Sequence, residues 1–124
     1  MSSGGGMEGP TTQELRSFLA PIAARGEART YQQVAAGLGL RPPNTIHRLA
    51  LALEALMAED AAAGRPLLAA VVVSRTRAGL PAPGFFARAR ELGRYAGPDS
   101  GAQAAAWHAA ERRALQVEPP TGEV

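Results

Sequence analysis

The stretch Thr30-Tyr31-Gln32-Gln33-Val34-Ala35-Ala36-Gly37-Leu38-Gly39-Leu40, continued beyond Arg41-Pro42-Pro43 by Asn44-Thr45-Ile46-His47-Arg48-Leu49, decides the fold. Thr30 and Gln33 have the spacing of a capping box, in which each side chain satisfies a backbone N–H that the first helical turn leaves orphaned. Tyr31, Val34, Ala35 and Leu38 then share one face, which predicts a short helix over 31–37 closed by Gly37 or Gly39, where a left-handed backbone is cheap. Pro42-Pro43 forbids helix before it, and Asn44 suits the cap of a second helix. Ile46, Leu49, Ala50, Leu53, Leu56 and Met57 repeat with helical period as far as Gly64, so that second helix should be the longer one. Two helices about a glycine turn have the form of a helix-turn-helix. Ala35 is small enough for a close crossing, Gly39 makes the turn, and Ile46 and Leu49 seal the pair, with the turn one residue longer than usual because of Pro42-Pro43. An αα-hairpin with no nucleic-acid role has the same pattern.

Working outward, Thr11 and Glu14 form a second capping box ahead of Leu15, Phe18, Leu19 and Ile22, predicting a helix over 11–25 that Pro21 should kink or end early. Leu67 to Val73 comes after a Gly-Arg-Pro breaker and ends in three consecutive valines, which favours a buried strand. Residues 75–84, with Gly79, Pro81, Pro83 and Gly84, read as a loop carrying Arg75 and Arg77. Phe85, Phe86, Ala89 and Leu92 mark a helix ending at Gly93, and Asp99 or Ser100 caps a last helix to Val117. The expected class is α+β, mostly helical: a winged helix-turn-helix-like core with a short strand and wing, plus C-terminal helices. Residues 1–10 read as a flexible leader, 11–117 as one domain, and 118–124 as a disordered tail.

Composition narrows the function classes. The 124 residues contain no cysteine, which excludes disulfides and thiolate chemistry and makes the cytoplasm the default compartment. No basic n-region or apolar run marks a signal peptide or a membrane span. Hydrophobic content is 46%, but aromatic content is only 5%, so the core should be thin and lined by alanine. All 13 basic residues are arginine, which is the habit of a GC-rich bacterial genome and equally what phosphate or base-edge contacts would require. Net charge is only +2, yet between Arg29 and Arg94 nine arginines face four acids, Glu54, Glu59, Asp60 and Glu91.

For catalysis the inventory is poor. Ser74 has no general base near it in sequence, and nothing argues for a site assembled from Glu54, Glu59 and His47. His108 and Glu111 are two ligands where zinc needs three or four, so neither a metal nor another cofactor is expected. Trp107 reads as packing for the last helix.

A binding role is left. Asn44, Thr45, His47 and Arg48 are polar and open the long helix on or beside the face opposite Ile46 and Leu49, as the residues of a recognition helix do, and as an ordinary solvated helix face also would. Arg41, Arg75 and Arg77 lie on the turn and the wing, where they would hold phosphates. Thr30-Tyr31-Gln32-Gln33-Val34-Ala35, a glycine turn, a helix with Arg48, then a strand and an arginine-bearing loop resembles the C-terminal winged-helix domain of the O6-alkylguanine alkyltransferases and alkyltransferase-like proteins, over residues 29 to 80. The resemblance implies a double-stranded DNA partner, with Tyr31 opening the unit and Arg48 as the arginine that replaces a flipped base. The Pro-Cys-His-Arg motif of that family is absent, the corresponding stretch being Val72-Val73-Ser74-Arg75, so alkyl transfer is not expected. The alternative is a protein-interaction or assembly module, or a homo-oligomer, built on the alanine-rich helices and the Pro83-Gly84-Phe85-Phe86 segment.

Overall fold

The computed structural model describes residues 9–117. The expected tail and the first eight residues of the expected leader lie outside them. Gly9 and Pro10 belong to the folded body, because Gly9 sits where a Cβ would come within 2.7 Å of the Arg48 carbonyl oxygen.

Helix α1 (Thr12–Ala24) starts on its expected capping box: Thr11 Oγ1 accepts from the Glu14 N–H at 3.0 Å, and Glu14 Oε1 from the Thr11 N–H at 2.9 Å. Leu15, Leu19, Ile22 and Ala23 are its buried face. Pro21 does not end it. Proline lacks an N–H for the Ser17 carbonyl, but Ser17 and Pro21 both lie on the exposed side, and burial of Ile22 and Ala23 holds the last turn in place. Strand β1 (Arg29–Thr30) comes next and leads directly into α2 (Tyr31–Gly37), whose capping box is Thr30 with Gln33 as the spacing predicts. Gly39, at φ 73°, closes the helix while the Leu40 N–H reaches back to the Ala35 carbonyl at 3.0 Å.

Helix α3 (Thr45–Ala62) is the longest in the body. Asn44 precedes it, though not as the expected cap: its backbone is left-handed, at φ 58° and ψ 34°, and its side chain caps nothing. The Pro42-Pro43 bond before it is cis. Ile46, assigned to the seal between the helices, is 39% exposed, whereas Leu49 is fully buried.

The expected strand over 67–73 is a strand only at its end. Leu68–Val71 winds into a 3-10 turn, and only β2 (Val72–Val73) is extended, pairing parallel with β1 in the register Arg29 to Val72 and Thr30 to Val73. The cause lies in distant side chains that take the place of a strand partner. Asp60 Oδ2 accepts the Leu68 N–H at 3.0 Å, Glu111 Oε2 accepts the Leu67 N–H at 2.7 Å, and His108 Nε2 donates to the Ala70 carbonyl at 2.7 Å. Buried peptide groups need partners of any kind, and here side chains supply them.

The loop after β2 closes through the Ser74 N–H to the Leu80 carbonyl at 2.9 Å, with Ala78 and Gly79 at positive φ. Helix α4 (Pro83–Glu91) begins earlier than expected, since Pro83 occupies its first turn, where a missing N–H costs nothing. Helix α5 (Gly101–Val117) completes the body. The molecule is α+β and mostly helical, with a two-stranded parallel sheet. Phe85, Phe86, Tyr95 and Trp107 form one aromatic cluster between α4 and α5, with the Tyr95 and Trp107 rings 4.7 Å apart. Phe85 and Phe86 are 6% and 0% exposed, so these two rings belong to the core and are not exposed anchors, while Pro83 and Gly84 before them are exposed.

Candidate functional site

The polar residues expected to form a contact surface separate into two groups. Asn44, His47 and, one turn further, Leu51 and Ala55 are exposed and share the outward stripe of α3 at helical spacing, while Thr45 is half-buried. Neither Asn44 nor His47 uses its side chain in a hydrogen bond among the described residues. Arg41 and Arg75 are likewise exposed, with no acceptor among those residues.

Arg48, Tyr31 and Arg77 are committed elsewhere. Arg48 is 7% exposed, not the solvent-facing residue its place in the sequence suggested. It lies at the edge of the buried face and its guanidinium turns back under the helix start, Nε donating to the Pro43 carbonyl at 3.2 Å and Nη2 to the Arg41 carbonyl. A planar fork with several fixed donors is well suited to holding two carbonyls of a proline-bound turn. Tyr31 is half-buried at the start of α2, and its hydroxyl accepts the Ala82 N–H at 3.0 Å. Burial pushes its phenol above the usual tyrosine range, an effect the Ala82 N–H and the Arg77 charge oppose. Together with Ala50, Leu53, Met57 and Phe85 it lines a cleft of about 60 Å³, well below the roughly 300 Å³ at which small-ligand pockets begin. Arg77 donates to the Asp99 carbonyl and lies 6.0 Å from the centre of the Phe86 ring. Tyr31 and Arg77 therefore fasten the 74–82 loop to the body, and neither side chain points to a partner.

The wider arginine inventory shows the same division. Of the thirteen, ten donate to an acceptor: Arg16, Arg25 and Arg65 to carboxylates, and seven others to main-chain carbonyls. Only Arg41, Arg75 and Arg113 have none among the described residues. The arginines thus have a structural use: guanidiniums donate to main-chain carbonyls, six of these seven residues to carbonyls outside the helices.

No group of three metal-ligating side chains occurs among the described residues, nor any helix long and apolar enough to cross a membrane. Ser74 Oγ faces Thr76 Oγ1 at 3.3 Å, with no base bonded to it among the described residues. Glu59 is occupied by Thr12 at 2.5 Å and Arg16 at 3.1 Å, which hold its carboxyl below the usual range, the Thr12 hydrogen bond first. His108 and Glu111 are engaged by the 3-10 segment and Arg94.

Sequence reasoning passed over two residues, one that holds the fold and one on this surface. Asp60 is fully buried and accepts from Leu68, Arg65 and Arg16. No local signal marks it, since its partners come from other elements. Leu51 is 53% exposed, and there the signal existed: it stands off the face defined by Leu49, Leu53 and Leu56. No family model, no curated protein and no solved structure matches the chain.

Proposed function

We propose that the chain is a double-stranded DNA-binding module of winged-helix type, in which the first turns of α3 enter a groove and the 74–82 loop serves as the wing. The observation that carries this reading is the set of side chains the fold leaves unused. Ten of thirteen guanidiniums are engaged, and two of the three without an acceptor among the described residues, Arg41 and Arg75, stand on the turn before α3 and on the loop after β2. Between them in sequence, Asn44 and His47 are exposed with their donors and acceptors unspent. Asn44 and His47 then face base edges, while Arg41 and Arg75 take phosphates. Arg48 contributes by fixing the carbonyls of Arg41 and Pro43, which keeps the turn in one shape.

Fluorescence anisotropy with a labelled random duplex, at several salt concentrations, tests the proposal. Two phosphate contacts predict that log K falls with log salt at a slope of about −1.8. Absence of binding at low ionic strength overturns it. A second reading has one observation in its favour: Ala102, Ala105, Ala106, Ala109 and Ala110 are exposed along α5, a smooth surface suited to another helix. Sedimentation velocity tests that reading, which predicts a mass above the 12.8 kDa of one chain.

A further inference from the structure

The outward stripe of α3 is unusual for a DNA-facing helix in the cation it lacks. Arg48, the one arginine in its first turns, is folded under the helix start, and no other replaces it on the exposed face. A guanine is read above all by arginine or lysine donating to O6 and N7, so guanine readout is missing from this face. The face carries instead one carboxamide, Asn44, one imidazole, His47, and apolar side chains. Leu51 is 53% exposed one turn beyond His47, Ile46 is 39% exposed at the flank, and Ala55 comes next on the stripe. Leucine and isoleucine exposed to water cost free energy, and in the major groove they meet one matching apolar group, the C5-methyl of thymine. Asparagine pairs with adenine N6 and N7, so both features point to the same kind of base pair. The phosphate side of the same duplex is met by Arg41, three residues before Asn44 and with no acceptor among the described residues.

We infer that α3 selects A·T-containing duplexes through the major groove, with Leu51 packing on a thymine methyl as the specificity-determining contact and Asn44, about 10 Å away along the helix at ~1.5 Å per residue, reading an adenine about three base pairs off. This rests on the duplex-binding reading above and adds to it the base pair and the groove. Arg48 is excluded as a reader and acts as a positioning residue for Asn44.

The test compares the full chain on two duplexes of one A·T-rich sequence, identical except that thymine is replaced by uracil, which removes only the C5-methyl groups. Wild type should bind the thymine duplex about fourfold more tightly for each methyl buried. Leu51→Ala, which keeps its fold because Leu51 is on the surface, should lose that discrimination and bind both duplexes as wild type binds the uracil one. Equal affinity of wild type for the two duplexes overturns the inference and leaves duplex binding standing. Discrimination that survives Leu51→Ala overturns the assignment to this residue. Failure to bind either duplex at low salt removes the duplex-binding reading and this inference with it.

Discussion

Residues 65–71, which end in a 3-10 turn, and residues 41–47, which run into the first turn of α3, are both rich in polar neighbours, yet their polar groups do opposite work. In the first, Asp60, His108 and Glu111 reach in from α3 and α5, and each holds a peptide group of the segment while Arg94 takes the Arg65 carbonyl at 2.9 Å. In the second, one inward side chain, Arg48, holds two carbonyls, and Arg41, Asn44 and His47 face outward with nothing to bind among the described residues. A buried polar group without a partner costs about 1–3 kcal/mol, so side chains in the interior are spent on the fold. Side chains left unspent at the surface are the ones available to a partner.

The largest effect that tests this contrast is Asp60→Ala. It leaves the Leu68 N–H buried and unpaired and takes the shared acceptor from Arg16 and Arg65. A loss of about 3 kcal/mol in urea unfolding is expected. A change within experimental error would mean that the 65–71 segment does not depend on its side-chain clamps.

Next in size is Arg48→Ala, expected to lower stability by about 2 kcal/mol because two carbonyls of the turn lose their donor. His47→Ala should leave stability within about 0.5 kcal/mol of wild type, as surface substitutions away from any packing do, while Asn44→Ala should cost about 1 kcal/mol, because alanine tolerates the left-handed backbone at φ 58° less well than asparagine. Urea titrations of the three variants sharpen the comparison. If Arg48→Ala is as silent as His47→Ala, the guanidinium is not the latch of the turn.

A smaller effect lies in pH dependence. Burial first, and then the Arg112 charge, hold the His108 imidazole below its ordinary value of 6.5, against the Ala70 carbonyl, which favours the protonated ring. The unfolded chain therefore binds the proton at a higher pH than the folded one. Stability attached to this ring is complete above 6.5 and is lost as pH falls from there toward the lowered folded value. His108→Gln should flatten the dependence of unfolding free energy on pH in that window. An unchanged slope would show that His108 is not the group responsible.

Legibility of the fold in the sequence divides along the same line between local and distant causes. Both capping boxes, the α2 boundaries and the Gly39 turn were legible because each is fixed by residues within four positions of one another. The nature of 67–73 was not, because its geometry is set by Asp60 and by residues of α5 up to 44 positions away. Pro21 misled for a related reason: tertiary burial of Ile22 and Ala23 outweighs its local preference. In the candidate site the exposed half, Arg41, Asn44, His47 and Arg75, was visible as polar residues off the apolar face. Arg48 was misplaced because its polar character grouped it with Asn44 and His47 off the apolar face, and only the neighbouring carbonyls of Arg41 and Pro43 explain why it turns inward. Tyr31 was drawn outward by the family resemblance and Arg77 by its place on the loop after the strand, while the Ala82 N–H and the Asp99 carbonyl hold them in the body.

Salt dependence of duplex affinity in the double variant Arg41→Ala/Arg75→Ala tests the central claim most directly, that the side chains unused by the fold are those that meet DNA. Stability should match wild type, because neither guanidinium has an acceptor among the described residues. Affinity for every duplex should fall together, and the slope of log K against log salt should flatten by about 1.8, that is by two phosphate contacts. A duplex affinity and salt slope equal to those of wild type would contradict the account.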